Sequence, residues 1–320
     1  MSSQINLRVK PRESVSWDEF VKATPVGSIA LDGYVRGPPN YDESTMHLNF
    51  DHHSDVTREA TMSTCKQVLF ALKGNMMRYV SQKLKGNPVN VFINDTDQDT
   101  ALAVWLLENS KLFEGTQGIP HINRLVELTD RLDITGGAFP MNLRDELVEQ
   151  HNWIFEPYTN LRVSGALANA DASVMRDNIE SVLGRINAFM MNQGGRKPLD
   201  TRHEILYESP FGFKIVNEIG GNEARYHLFS QGMDSFLSLV STRADGKKVW
   251  TVGRRSRYVP FPVRELYAVY NKAEGLTSED GWNGSDIIGG SSRKNGSHLD
   301  WEPLARITEI HLKNRYGEAK

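Results

Sequence analysis

The sequence predicts an α/β protein: a mainly parallel sheet flanked by helices, followed by a smaller mixed α/β domain. Three observations carry this. Up to residue 191, short apolar strand-like runs alternate with segments of helical spacing, the pattern of parallel strands covered by helices on both faces. Residues 193–199, rich in Gly, Arg and Pro, then interrupt the alternation. Beyond them the strands are short, and two are joined by a hairpin signal. At 320 residues the chain exceeds the ~250–300 at which single cores stop growing. The expected organisation is residues 1–192 as one domain, 193–199 as a linker and 200–320 as a second domain.

Taken in order, a polar lead-in precedes a short helix over Ser16–Lys22, stopped by Pro25. Ser28–Asp32 is a short buried strand, and Gly37-Pro38-Pro39-Asn40 marks a loop. Met46–Phe50 is a second strand. Val68, Leu69, Leu72, Met76, Tyr79 and Val80 recur at helical spacing, which predicts a helix over Thr64–Leu84 ended by Gly86-Asn87-Pro88. Val89–Ile93 is a third strand, and Ala101–Leu107 begins a helix. Further helices are expected over Ile122–Leu132, Met141–Gln150 and Ala172–Met191. In the second half, Phe236–Thr242 and Lys247–Gly253 form a hairpin through Ala244-Asp245-Gly246. Pro262–Ala273 and Trp301–Asn314 are helices, and 281–297 is a Gly/Ser-rich basic loop.

Composition excludes more than it selects. The net charge of −3 gives no overall attraction for a polyanion or a membrane surface. No run approaches the ~18 apolar residues of a membrane span, and Met1–Glu13 has no signal-peptide core. Basic residues are seldom interleaved with aromatics, so stable duplex nucleic-acid binding is not expected. The single Cys65 lies in a predicted helix as a small buried residue, and one cysteine in 320 suits a reducing, cytoplasmic compartment.

The chemistry concentrates at strand ends, where α/β sheets bind ligands. Asp51-His52-His53 follows the second strand. Adjacent side chains on an extended backbone point to opposite sides, so both imidazoles share a site only if the chain turns at once. A capped turn with solvated histidines is the plainer alternative. Asp95, Asp97 and Asp99 stand between the third strand and its helix. At ~4 Å and an effective dielectric near ~20, each pair repels by about 4 kcal/mol, which a divalent cation would offset. Alternatively Asp99 is a helix N-cap and Asp95 belongs to an Asx-turn. Asp130 and Asp133, three apart, share a helix face. Mixed imidazole and carboxylate donors suit Mn²⁺ or another transition metal better than Mg²⁺, and there are enough for two ions.

Asp51-His52-His53 after an apolar strand resembles the signature of the DHH phosphoesterase superfamily. Asp95, Asp97 and Asp99 leading into Ala101–Leu106 resemble its acidic motif, and Leu128–Asp133 its last motif. The order departs from the family pattern, which places the acidic motif before the His-His motif. Either the sheet is wired in a permuted order or one correspondence fails. The resemblance covers about a third of the chain, Ile29–Gly137. It implies a hydrolase of phosphoester or phosphoanhydride bonds using one or two Mn²⁺ ions, with Mg²⁺ or Co²⁺ as alternatives, between two α/β domains. It implies Asp32, Asp51, His52, Asp95, Asp97, Asp99 and Asp130 as the ligand pool, with Asp133 as a supporting or alternative ligand. Asp51, His52 and His53 would stand at the reacting centre. Gly289, Gly290, Ser292, Arg293, Lys294 and His298 loosely resemble the glycine-and-His loop of the superfamily's associated C-terminal domain. Arg254, Arg255 and Arg257 resemble its strand ending in Arg-Ser. Both sets would hold the phosphate of a small phosphorylated or nucleotide substrate, and a solvated basic loop is the alternative for each. The rivals are a non-catalytic nucleotide sensor on the same fold and a nucleic-acid-binding protein without hydrolysis.

Overall fold

The computed structural model describes residues 5–278, 280–292 and 294–319. The chain forms two compact units. The first holds residues 1–134 and 145–198, the second residues 135–144 and 199–320. Two boundaries therefore differ from the sequence reading. Residues 193–198 pack on the first unit, where Lys197 N donates to Glu149 O (3.1 Å) and Lys197 Nζ pairs with Glu156 (3.4 Å). Residues 135–144, between two helices of the first unit, belong to the second.

In the first unit the elements run β1 (Ile5–Val9), β2 (Val15–Ser16), α1 (Trp17–Ala23), β3 (Ile29–Leu31), β4 (Val35–Arg36), β5 (Asn40–Asp42), β6 (His47–Phe50), α2 (Thr64–Lys73), α3 (Met76–Lys83), β7 (Val89–Ile93) and α4 (Gln98–Glu108). They continue with α5 (Pro120–Thr135), α6 (Glu146–Ile154), α7 (Glu156–Val163) and α8 (Ala172–Met190). The sheet order is β1-β7-β3-β6-β5. β1 to β6 pair in parallel across that order, and only the edge strand β5 is antiparallel. The parallel expectation holds, and β1, read from sequence as a polar lead-in, is the far edge.

α4 organises this unit. Ala101 to Leu107 are all buried, because α2 packs on one side of the helix and α8 on another. A helix apolar all round is an interior helix, each large side chain contributing about 1.5–3 kcal/mol. Trp105 fits this layer because its indole N–H donates to Asn187 on α8 (2.8 Å). Trp105→Ala would cost about 3–5 kcal/mol and loosen the helix that carries Asp99. The single helix expected over Thr64–Leu84 is two: Gly74 ends α2, and Asn75, at φ +62, starts α3. Gly and Asn are the residues that end a helix through the left-handed region. Helix α6 begins at Glu146, with Asp145 accepting from Leu147 N (3.1 Å) as its cap, later than the apolar spacing from Met141 suggests.

The second unit contains β8 (Glu204–Glu208), β9 (Phe213–Asn217), α9 (Asn222–Ser230), β10 (Ser235–Thr242), β11 (Lys248–Arg254), α10 (Val263–Glu274), β12 (Asn283–Gly284), β13 (Ile288–Gly290) and α11 (Trp301–Tyr316). Its mixed sheet runs β12-β13-β11-β10-β9-β8, with β9 and β10 parallel. The β10–β11 hairpin turns at Gly246, at φ +81. Trp250, Tyr270 and Trp282 pack with α10 and α11 residues into its main core. No helix among the described residues is long and apolar enough to cross a membrane.

Candidate metal centre

The centre lies at the carboxyl ends of three neighbouring parallel strands. β3 leads into Asp32, β6 into Asp51, and β7 into the Asp95–Asp99 turn. Asp32 sits at φ +49, a region that Asp tolerates better than most side chains. Its Oδ1 accepts from Thr64 Oγ1 and its Oδ2 from Thr100 Oγ1, both at 3.1 Å. Asp51 makes the turn after β6: its Oδ1 accepts from the amides of His52 (2.7 Å) and His53 (3.0 Å). The chain therefore bends immediately, and the two imidazoles lie with ring centroids 4.6 Å apart.

His52 is the hub. Its Nε2 lies 2.6 Å from Asp133 Oδ2, 3.5 Å from Asp32 Oδ1 and 3.8 Å from Asp99 Oδ2. His53 Nε2 lies 2.9 Å from Asp32 Oδ1. The donors form two overlapping triads, Asp32–His52–His53 and His52–Asp99–Asp133, the atoms of each within 4.8 Å of one another. All five residues belong to the first unit. His52 is fully buried, yet neither of its ring nitrogens makes an aligned hydrogen bond among the described residues, and neither does Asp51 Oδ2. Buried polar atoms are ordinarily satisfied. An imidazole facing three carboxylates without hydrogen-bond geometry fits a divalent cation held by mixed N and O donors.

In the metal-free cluster the carboxylates dominate the electrostatics. Burial alone would lower the His52 pKa, but Asp133 and Asp32 outweigh it and push it up to about 11. Asp32 holds His53 protonated beyond its usual range despite burial. Burial would raise Asp32 too, yet His53 and His52 pull it well down. Burial and then Asp133 and Asp32 push Asp99 up to about 7. Asp97 is driven well up by burial and the charges of Asp32, Asp133, Asp95 and Asp99, and burial raises Asp51. This many carboxyls cannot all ionise together, and positive charge among them is the physical remedy.

The sequence-predicted residues divide into those in the triads and those beside them. Asp32, His52, His53 and Asp99 are in them. Asp99 also accepts from the first amides of α2, Thr64 N (2.6 Å) and Cys65 N (2.8 Å), an anion at a helix N-terminus. The N-cap of α4 is Asp97, accepting from Thr100 N at 2.8 Å, rather than Asp99. Asp95 accepts from Thr96 N (2.6 Å). Asp130 is turned elsewhere: it accepts from Ser63 N and pairs with Lys66 Nζ, both at 2.8 Å. Asp133 takes the place beside His52. Sequence reasoning missed Arg58, whose guanidinium donates to Asp133 O (3.1 Å), and the hydroxyls of Thr64 and Thr100. The one available signal was position: Thr64 is the first residue of α2, and Thr100 follows Asp99 in the first turn of α4.

In the second unit the glycines have a packing reason. A Cβ at Gly289 would run into Tyr267 Oη, and one at Gly290 into Trp250 O. Ser292 Oγ accepts from Asn295 N (3.0 Å), and His298 is exposed while its amide donates to Glu274 (2.6 Å). Lys294 is exposed. Arg255 pairs with Asp234 (3.1 Å), and Arg257 with Asp286 (2.8 Å). Arg254 donates to the Val259 and Arg257 carbonyls (3.2 and 3.3 Å). Arg293 lies outside the described residues. No protein-family model matches this chain, and no curated protein matches it at a significant level.

Proposed function

We propose that the chain is a metal-dependent phosphohydrolase related to the DHH phosphoesterases, cleaving a phosphoester or phosphoanhydride bond of a small phosphorylated or nucleotide substrate. One observation carries this: the buried imidazole of His52 lies 2.6 Å from Asp133, 3.5 Å from Asp32 and 3.8 Å from Asp99, and neither ring nitrogen makes an aligned hydrogen bond among the described residues. Those four residues and His53 would hold the cation, with Mn²⁺ the best match to the donor set. A bound divalent cation polarises a phosphoryl oxygen and makes water a better nucleophile at neutral pH. Asp51 orients both imidazoles through their amides. The His53 side chain, 39% exposed, is the member of the cluster open to a substrate and its protons. Arg58 holds the Asp133 backbone and fixes the last carboxylate. A cytoplasmic setting belongs to the same reading, supported by the lone buried Cys65.

The test is elemental analysis of the purified chain before and after Mn²⁺ supplementation, then a phosphoester and pyrophosphate screen with Mn²⁺. One to two transition-metal ions per chain with metal-dependent turnover is the expected result. Failure to bind any divalent ion tighter than millimolar ends the proposal. Binding without turnover of any phosphate compound leaves a nucleotide sensor in its place.

A further inference from the structure

His203 and His227 of the second unit stand together, with ring centroids 5.6 Å apart and planes inclined by 42°. His203 immediately precedes β8, and His227 lies in α9. Both are half-buried, and neither belongs to the two triads. Two imidazoles on one zinc, each nitrogen at ~2.0–2.1 Å in a tetrahedral shell, hold their centroids about 5 Å apart. The observed spacing is close to that of a chelating pair.

Hydrogen bonds fix which nitrogen of each ring carries the lone pair. His203 Nδ1 lies 2.9 Å from Thr201 O. A carbonyl only accepts, so Nδ1 holds the proton and Nε2 the lone pair. That Nε2 makes no hydrogen bond among the described residues. A ring N–H donated to a backbone carbonyl is the usual way a metal-binding histidine is oriented. On the other ring, His227 Nε2 accepts from Gln231 Nε2 at 2.9 Å, because an amide nitrogen only donates. Gln231 is exposed, so an ion that takes this lone pair returns the amide to water. Both rings therefore offer Nε2.

The surroundings hold the pair in place. Helix α9 buries Ala224, Arg225, Tyr226, Leu228 and Phe229 on either side of His227. The segment before His203 is tied down where Asp200 N donates to Glu223 and Gly220 N donates to Arg202 O (2.8 Å). Arg202, the cation next to His203, is forked by Asp200 at 2.8 and 2.6 Å. Glu223, four residues before His227, shares its helix face and adds negative charge there.

We propose that His203 and His227 form a metal site of their own, binding Zn²⁺ or Cu²⁺ through both Nε2 atoms with water in the remaining positions. Imidazole suits these ions, and affinity for a nitrogen site rises from Mn²⁺ toward Cu²⁺. No third His, Cys or carboxylate among the described residues completes a three-donor group with the pair, so the bound ion keeps open positions. The proposal does not rest on the reading of the first unit. Mn²⁺, lowest in that order, is poorly served by two imidazoles alone.

Calorimetry of the full chain with Zn²⁺, and separately with Mn²⁺, tests it. The parent should bind one more Zn²⁺ per chain than His203→Ala or His227→Ala. A group that only orients a ligand is worth about 10–100-fold in metal affinity, so loss of a ligand itself should weaken this step at least about tenfold. Mn²⁺ binding should be the same in all three. His52→Ala should keep this Zn²⁺ step while losing Mn²⁺, which separates failure of one site from failure of the other. Gln231→Ala removes the competitor for the His227 lone pair and should bind Zn²⁺ at least as tightly as the parent. Should an alanine variant lower the melting temperature of the metal-free chain, His203→Asn or His227→Asn keeps much of the shape, and the same loss of Zn²⁺ is expected. A Zn²⁺ isotherm shared by the parent and both histidine variants, loss on only one of the two, or loss on Gln231→Ala or His52→Ala overturns the proposal.

Discussion

Arg225 and Glu218 of the second unit are buried as deeply as His52 and Asp32 of the first, with side-chain exposures of 5% and 2% against 0% and 2%. The first pair is closed on itself. Arg225 Nε and Nη2 meet the two Glu218 oxygens at 2.7 and 2.6 Å, and Nη1 reaches Gly136 O at 2.7 Å. Its guanidinium also lies 5.0 Å from the centroid of the Phe236 ring. Charges, donors and acceptors match, so nothing is asked of a ligand. Around His52 the count is lopsided: three carboxylates face one imidazole edge, and the nitrogens have no aligned hydrogen bond among the described residues. Burial of charge is thus uninformative about function by itself. What separates a structural pair from a candidate site is whether its members satisfy one another.

Four experiments probe that contrast. Glu218→Ala leaves Arg225 buried and unpaired, and should cost about 3–5 kcal/mol in urea unfolding with metal affinity unchanged. A metal-affinity loss equal to that of a His52 variant would erase the distinction between the two regions. His52→Ala removes the atom shared by both triads, so calorimetry should show Mn²⁺ affinity falling by about a hundredfold or more, while stability of the metal-free chain changes far less than in Glu218→Ala. Unchanged affinity would make the cluster a structural acidic turn.

His151 offers a third kind of burial, an imidazole kept neutral. Burial pushes its pKa down to about 3, and its Nε2 has no hydrogen bond among the described residues. Between pH 6.5 and 3 the unfolded chain takes up a proton that the folded chain refuses, so stability falls as pH falls through that window. The slope from this residue is up to about 1.4 kcal/mol per pH unit. His151→Phe should flatten the profile by that amount, and a profile parallel to the parent's would show that the residue titrates normally. The smallest effect belongs to Asp130→Asn. It loses a charge-assisted contact with the partly exposed Lys66, about 1 kcal/mol, and should keep metal affinity, whereas Asp133→Asn should lower it. The opposite ranking would return Asp130 to the ligand set.

The periodicities that announce strands and helices are local, and the strongest were legible. The strands before Asp32, before Asp51 and before Asp95, the apolar α4 and the β10–β11 hairpin all stand where spacing and turn residues put them. What lacked a local signal was missed: β1, whose alternation is short, and α7, β8, β9 and α9, where charged and aromatic residues break the pattern. The break at Gly74–Asn75 was legible in principle, since Gly and Asn are common at helix ends, and here Asn75 takes the left-handed conformation.

For the candidate site, the sequence by itself determined the donor types and their place at strand ends, because a motif's residue identities and its position after an apolar run are local properties. Tertiary structure decided which donors meet. Asp130 and Asp133 sit three apart on α5 and look equivalent in sequence. Yet Ser63 N and Lys66 capture the first, while His52 faces the second. The choice is made by the start of α2 and by the turn after β6, segments more than sixty residues away in the chain. Side-chain partnership depends on distances of a few ångströms across packed elements, and only the packing of those elements supplies them.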